Sequence, residues 1–306
     1  MKGKKLFFII ISFALAINIK IFSQDSIFKV LAIKGEILID NDNSNLWQKL
    51  SIGSNIIGKE KIKLSNDSYL GLAYSPGGTL ELKQSGEYNF SQLKYLLKSD
   101  YHSINRKFSD FVFNELTKKI GMIKEMKSAG TVIRVRPNSI PVAMPFSSCI
   151  IDSQIIFKWY PTSKSSNYIF KLMNCSNRTI YMKEINDTSL FINLNPLYLE
   201  SDTAYKWYVY EFDNPEISSD TICIVKYSQN KIEAIKDSLN ELNKELGNDP
   251  SALNQIIYSE FFKRNQLNID AMRALEKATE LEPTVEVYEY MLNEFFINMR
   301  IVKMTE

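Results

Sequence analysis

The 306-residue chain is long enough for about two domains or three small ones, and its formal net charge of +2 creates no large single-sign field. Hydrophobic residues at 45% and charged residues at 24% exclude wholesale disorder and a polytopic membrane protein. A single His and three scattered Cys exclude most metal sites and most His-based catalysis.

Met1-Lys2-Gly3-Lys4-Lys5 is a basic start, Leu6 to Ile17 is apolar except at Ser12, and Ser23 offers a small residue before Gln24. This layout predicts a secretory signal peptide over 1–23, too short in its apolar run for a span of roughly 20 residues. No Cys follows the run, so a lipid-modified N-terminus is not expected. Cleavage removes Lys2, Lys4, Lys5 and Lys20 and takes the net charge from +2 to −2. The expectation is an exported protein, in the periplasm or associated with the outer membrane, with no membrane span after cleavage. With no basic run left, nucleic acid is not an expected partner.

Residues 27–90 alternate apolar and polar side chains in short runs. Ile27 to Leu31, Ile37 to Ile39, Ile62 and Leu64, then Leu70, Leu72 and Tyr74 are followed by a Ser75-Pro76-Gly77-Gly78 turn and Leu80 and Leu82. This spacing predicts a small all-β unit over 24–98, its hairpin having one buried and one wet face. Gly35, Trp47-Gln48-Lys49-Leu50, Gly53, Ser68-Tyr69-Leu70-Gly71-Leu72 and Leu80-Glu81-Leu82 follow in an order that resembles the FecR-type extracytoplasmic β domain. The resemblance covers about 65 residues and rests on turn glycines, one Trp and alternation. It implies a fold and a periplasmic location; because no cytoplasmic segment precedes the domain, the anti-sigma activity of FecR-type regulators is not carried over. Trp47 is expected in the core.

Between 99 and 130 the period changes. Ile104, Phe108, Phe111, Val112, Leu116, Ile120 and Ile123 recur at three and four, which predicts an amphipathic bridging helix ended by Gly130. Thr131 to Val135 reads as a short strand, and Pro137 to Pro145 as a linker.

From about 146 the period of two returns, and 131–228 is expected to be a β-sandwich of six or seven strands. Ile155, Phe157 and Trp159 share a face, as do Tyr168, Phe170 and Leu172, then Tyr205, Trp207 and Val209, and finally Ile222 and Ile224. Leu199 ahead of a Tyr-x-Trp-x-Val strand resembles fibronectin type III and other immunoglobulin-like modules. That resemblance implies that Tyr205 hydrogen-bonds back to the preceding loop, and Trp159 and Trp207 are expected as core residues. Residues 229–306 carry 3–4 stripes such as Ile232, Ile235, Leu239, Leu242 and Leu246. Four helices are expected, the second starting with an N-cap at Asn248-Asp249 and Pro250 at its first position. Ala271, Leu275, Ala278 and Pro283 fit the second half of a tetratricopeptide unit, so this part resembles one such unit flanked by helices. The fold class is thus multidomain β plus α.

Few residues carry chemistry. His102 has Asp100 and Ser103 as chain neighbours alone, which makes no triad. Asp40 to Ser44 has the oxygen spacing of a calcium loop, but Asn45 and Ser51 stand where that loop needs Gly and Glu, so a polar turn is expected. Cys149 and Cys223 fall near the first and last sandwich strands, where either a disulfide or free thiols fit; three buried thiols are the simpler reading. Tyr208 and Tyr210 point opposite to Tyr205 and Trp207 and are candidate ligand-facing aromatics, able to stack on sugar rings; the simpler reading is that the adjoining helical unit covers this face. No catalytic residue, metal or cofactor is expected. The sequence suggests a non-enzymatic envelope protein that binds or scaffolds, with another envelope protein meeting its C-terminal helices. The alternatives are a carbohydrate- or peptidoglycan-binding protein, or a signalling protein related to FecR-type regulators.

Overall fold

The computed structural model describes residues 27–41, 44–75, 77–97, 138–162, 167–246 and 250–301. The signal segment 1–23, the bridging helix with His102 and the strand at 131–135 lie outside the described residues. Eight short strands come first: β1 (Phe28–Lys34), β2 (Ile37–Asp40), β3 (Gln48–Lys49), β4 (Asn55–Ile56), β5 (Lys61–Leu64), β6 (Tyr69–Tyr74), β7 (Thr79–Leu82) and β8 (Gly86–Asn89). They form two antiparallel sheets, ordered β4–β1–β6–β7 and β3–β2–β5–β8. Phe28, Val30, Ile37, Ile62, Leu64, Leu70 and Leu72 are buried together in one core. Helix α1 (Phe90–Leu96) adds Phe90 and Leu93 to it. Its start is fixed reciprocally: Gln92 N–H donates to Asn89 Oδ1 at 2.9 Å, and Asn89 N–H to Gln92 Oε1 at 2.8 Å.

Strand β6 departs from the expected wet face, because all six of its residues are buried. Leu70, Leu72 and Tyr74 face the core of the first unit, while Tyr69 and Ala73 belong to a second apolar cluster that includes the C-terminal helices. A bulge in β1 serves the same purpose. The register with β6 shifts between Val30 and Ala32, which places both Leu31 and Ala32 in that second cluster. Gly71 makes the close approach possible, since a Cβ there would lie 3.3 Å from Ala32 Cβ, 3.5 Å from Leu253 Cδ2 and 3.5 Å from the Tyr288 hydroxyl.

The next nine strands build an immunoglobulin-like sandwich: β9 (Ser139–Ile140), β10 (Ser147–Ile150), β11 (Gln154–Lys158), β12 (Tyr168–Asn174), β13 (Thr179–Ile185), β14 (Ser189–Asn193), β15 (Thr203–Glu211), β16 (Ser218–Ser219) and β17 (Ile222–Lys226). One sheet runs β10–β17–β15–β12–β13, and the β11–β14 pair faces it. The segment read as a linker is instead part of this sandwich. Ile140, Val142 and Met144 are buried in its core, Val142 bridges Trp159, and the chain then crosses to pair β10 parallel with β17. The prolines there suit an edge segment that changes sheets. Trp207 stacks on Phe170 with ring centroids 5.6 Å apart and meets Phe157 edge-on at 4.9 Å. Trp159 meets Tyr168 edge-on at 5.9 Å in the same core.

Four helices close the described chain: α2 (Gln229–Leu246), α3 (Ala252–Arg264), α4 (Asn268–Leu281) and α5 (Glu286–Asn298). Helix α3 begins later than its sequence suggests. Ser251, rather than Asn248 or Asp249, is its N-cap, and the Ser251 hydroxyl accepts from Asn254 N–H at 3.0 Å. Leu253, Ile256, Ile257, Phe261, Leu275, Tyr288 and Phe295 form one cluster with Leu31, Ala32 and Tyr69 of the first unit and Cys149 of the sandwich. Burying each such Leu, Ile or Phe contributes roughly 1.5–3 kcal/mol, so this junction ranks with the two β cores in size and weight.

Polar contacts fix the docking on both sides. Toward the first unit, Leu253 N–H donates to Glu81 at 2.8 Å, Thr79 to Asn254 at 2.6 Å, and the Tyr69 and Tyr288 hydroxyls meet at 2.9 Å. Toward the sandwich, Cys149 N–H donates to the Gln266 carbonyl at 2.8 Å, Ile269 N–H to Ser148 Oγ at 3.2 Å, and Phe146 N–H to the Met299 carbonyl at 3.1 Å. The helices are a wedge between two β units.

Candidate functional site

Strand β15 sets the geometry of the exposed sandwich face. Its inward set, Tyr205, Trp207 and Val209, is buried, so period two turns Lys206, Tyr208 and Tyr210 outward. The Tyr208 and Tyr210 rings lie 5.8 Å apart at 31°, and both are half-buried. Register places Lys171 and then Met182 beside Tyr208, and Ile169 and then Glu184 beside Tyr210. Lys171 Nζ stands 6.0 Å from the Tyr208 ring centroid, and Met182 is 59% exposed. Neither Tyr208 nor Tyr210 belongs to the helix-bearing cluster, which meets the sandwich instead at Cys149, Val225 and Tyr227. The face is therefore an aromatic pair flanked by an amine and a carboxylate.

Tyr205 holds the corner expected of it, its hydroxyl accepting from Glu200 N–H at 2.7 Å. Trp47 is corrected. It is half-buried rather than in the core, and Lys63 Nζ sits 5.6 Å from its ring centroid. The reason is position: Trp47 precedes β3, a two-residue strand at a sheet edge.

The three thiols share the outer face of the sandwich sheet. Cys149 is buried, Cys223 half-buried and Cys175 exposed, and all are free. Cys149 and Cys223 are on adjacent strands but two residues out of register, since Ser147 pairs with Cys223 and Cys149 with Val225. Burial pushes the Cys223 thiol up, and the nearby Cys175 and Cys149 add to this. Asp40 forms the expected polar turn, accepting from Ser44 N–H at 3.1 Å and Asn45 N–H at 3.0 Å. Among the described residues no group of His, Cys, Asp and Glu is placed to hold a metal, and no helix is long and apolar enough to cross a membrane.

On the C-terminal helices, Phe261 and Phe295 are buried by the chain itself, and Phe262 and Phe296 partly so. Sequence reasoning missed Tyr198, which is 90% exposed with φ 48° and ψ 44° after the Asn195–Leu197 turn. Its signal was the Asn195-Pro196 pair, which opens a turn.

No family model matches the chain, and no curated protein matches it. Among solved structures, the chicken CNTN1 FN1–FN3 domains are similar at a TM-score of 0.23 and 10% identity, covering 67% of this chain and 55% of that one. A beta-1,2-glucanase from Parabacteroides distasonis is similar at a TM-score of 0.25 and 9% identity, covering 84% of this chain. The chain spans 55% of the first structure's length and 38% of the second's. The sandwich topology itself, with β10 switched parallel onto β17, is immunoglobulin-like.

Proposed function

We propose that this chain is a non-enzymatic, exported envelope protein that binds or scaffolds, built from a FecR-like β unit, an immunoglobulin-like sandwich and a tetratricopeptide-like helical unit. The observation that supports this reading is the helical wedge. Helices α3 to α5 spend their inner faces on two β units at once, through Tyr288 on one side and Ile269 on the other. Such a body holds separate surfaces at fixed spacing, as a scaffold requires. An envelope partner at the helices then meets their outer surface, where Ile297 is 38% exposed beside the half-buried Phe296. Affinity capture from envelope extract, followed by mass spectrometry, tests it with full-length protein and an Ile297→Lys variant. A single envelope protein retained by the first and lost by the second is the expected result. Identical capture by both variants contradicts a helix-borne partner.

A second reading, carbohydrate or peptidoglycan binding, is favoured by the tilted Tyr208–Tyr210 pair with Lys171 and Glu184 around it. Glycan-array signal lost in the Tyr208→Ala/Tyr210→Ala double variant supports that reading over the first.

A further inference from the structure

One end of the sandwich carries a cleft of about 510 Å³ between two loops, the β12–β13 turn and the connection from Leu197 to Thr203. This is within the roughly 300–1,000 Å³ range of small-ligand sites. Both walls are held from behind. Asn174 Oδ1 accepts from Arg178 N–H at 2.9 Å, and Asn177 takes the left-handed conformation at φ 63°, which fixes the turn. On the other wall, buried Leu199 anchors the loop and Glu200 N–H is held by the Tyr205 hydroxyl at 2.7 Å.

What these loops present is unlike a packing surface. Tyr198 is a bulky residue in left-handed backbone, a conformation such residues seldom adopt, and its ring gains no burial in return. Arg178 and Glu200 line the same cleft with exposed side chains that no described residue engages. Asn174, Ser176 and Thr179 add an amide and two hydroxyls. Arg178 donates only, Glu200 accepts only, and the other three do both. One aromatic face surrounded by this mixture fits a pyranose, whose C–H face stacks while its hydroxyls need donors and acceptors at once. A phosphate would meet the Glu200 carboxylate, and an apolar ligand would leave these polar groups unpaired.

We propose that this cleft binds a neutral saccharide with one ring stacked on Tyr198, at a site separate from the Tyr208–Tyr210 face. Cys175 lines the cleft and is exposed, which supplies a reporter. Full-length protein is incubated with cellotriose, maltotriose or chitotriose at about 10 mM, and Cys175 alkylation by iodoacetamide is followed by peptide mass spectrometry. For a millimolar site, mass action predicts that at least one trisaccharide slows alkylation by about ten-fold. Tyr198→Ala should abolish the protection and Arg178→Ala should weaken it. Tyr198→Phe should keep it, and none of the three should move the thermal midpoint appreciably, since these side chains are exposed. The proposal is overturned if no trisaccharide protects Cys175, or if protection survives Tyr198→Ala. It is overturned equally if protection is lost in Tyr208→Ala/Tyr210→Ala but not in Tyr198→Ala, or if trialanine protects where no sugar does.

Discussion

Trp207 has no exposed surface and packs on Phe157 and Phe170, so its ring organises the sandwich core. Truncation to Ala should cost about 3–5 kcal/mol, read as a fall in the thermal midpoint; an unchanged midpoint would mean that the face assignment is wrong. At the junction with the helices, Tyr69 and Tyr288 form a second kind of buried pair. Burial raises both phenols well above their usual range; Tyr288 and Glu81 add to the rise at Tyr69, while at Tyr288 the bond to Tyr69 opposes it and Glu81 and Glu282 reinforce it, so both hydroxyls stay protonated at neutral pH. Tyr288→Phe leaves the Tyr69 hydroxyl with Glu81 as its remaining partner and should cost about 0.5–1.5 kcal/mol. Adding Tyr69→Phe should recover part of that loss. A double-mutant cycle with purely additive losses would show that the two hydroxyls are not coupled.

Among the elements, α4 carries a charge whose cost can be titrated. Asp270 lies in its first turn, 3.6 Å from Arg273. Burial raises its carboxyl above the ordinary range; Arg273 opposes this, and Asp152 reinforces it. In the window between the ordinary and the raised pKa the folded protein binds more protons than the unfolded chain, so stability falls as pH rises through it. Asp270→Asn should therefore raise the thermal midpoint at pH 7 and lose that advantage below the ordinary carboxylate range. A midpoint lowered at pH 7 would show that Arg273 and the helix dipole outweigh burial.

Much of this element-level structure was legible because burial writes a period into the sequence. The β6–β7 hairpin pairs Leu70 with Leu82 and Leu72 with Leu80, as alternation about the Gly-rich turn implied, and β15 buries the alternate set it should. What stayed hidden depends on partners remote in sequence. Tyr69, Gly71 and Ala73 read as a wet face because the helices that cover them follow some two hundred residues later. Trp47 looked like core because its exposure follows from an edge strand, a property of the sheet rather than of its neighbours in the chain. The Tyr208–Tyr210 face could be placed on the outer side from period alone, but whether helices covered it could not. The Tyr198 cleft joins two loops that have no periodicity to read.

For the whole molecule, the helical wedge makes the two β units interdependent. Gly71 is the sharpest point of that dependence, because Ala32, Leu253 and Tyr288 crowd the space where a side chain would stand. Gly71→Leu should drive the helices off β6 by overpacking, at about 1–3 kcal/mol or more, and expose the apolar faces of Leu31, Leu253 and Ile256. Increased binding of a hydrophobic dye with retained far-ultraviolet dichroism is the expected signature, and an unaltered dye response would contradict it. Fusion of both β units into one body by the C-terminal helices can be read from differential scanning calorimetry of the full chain. One transition is expected, with agreeing calorimetric and van't Hoff enthalpies, and its unity should be lost in Gly71→Leu. Two resolved transitions in the unaltered protein, with the same midpoints in Gly71→Leu, would contradict it.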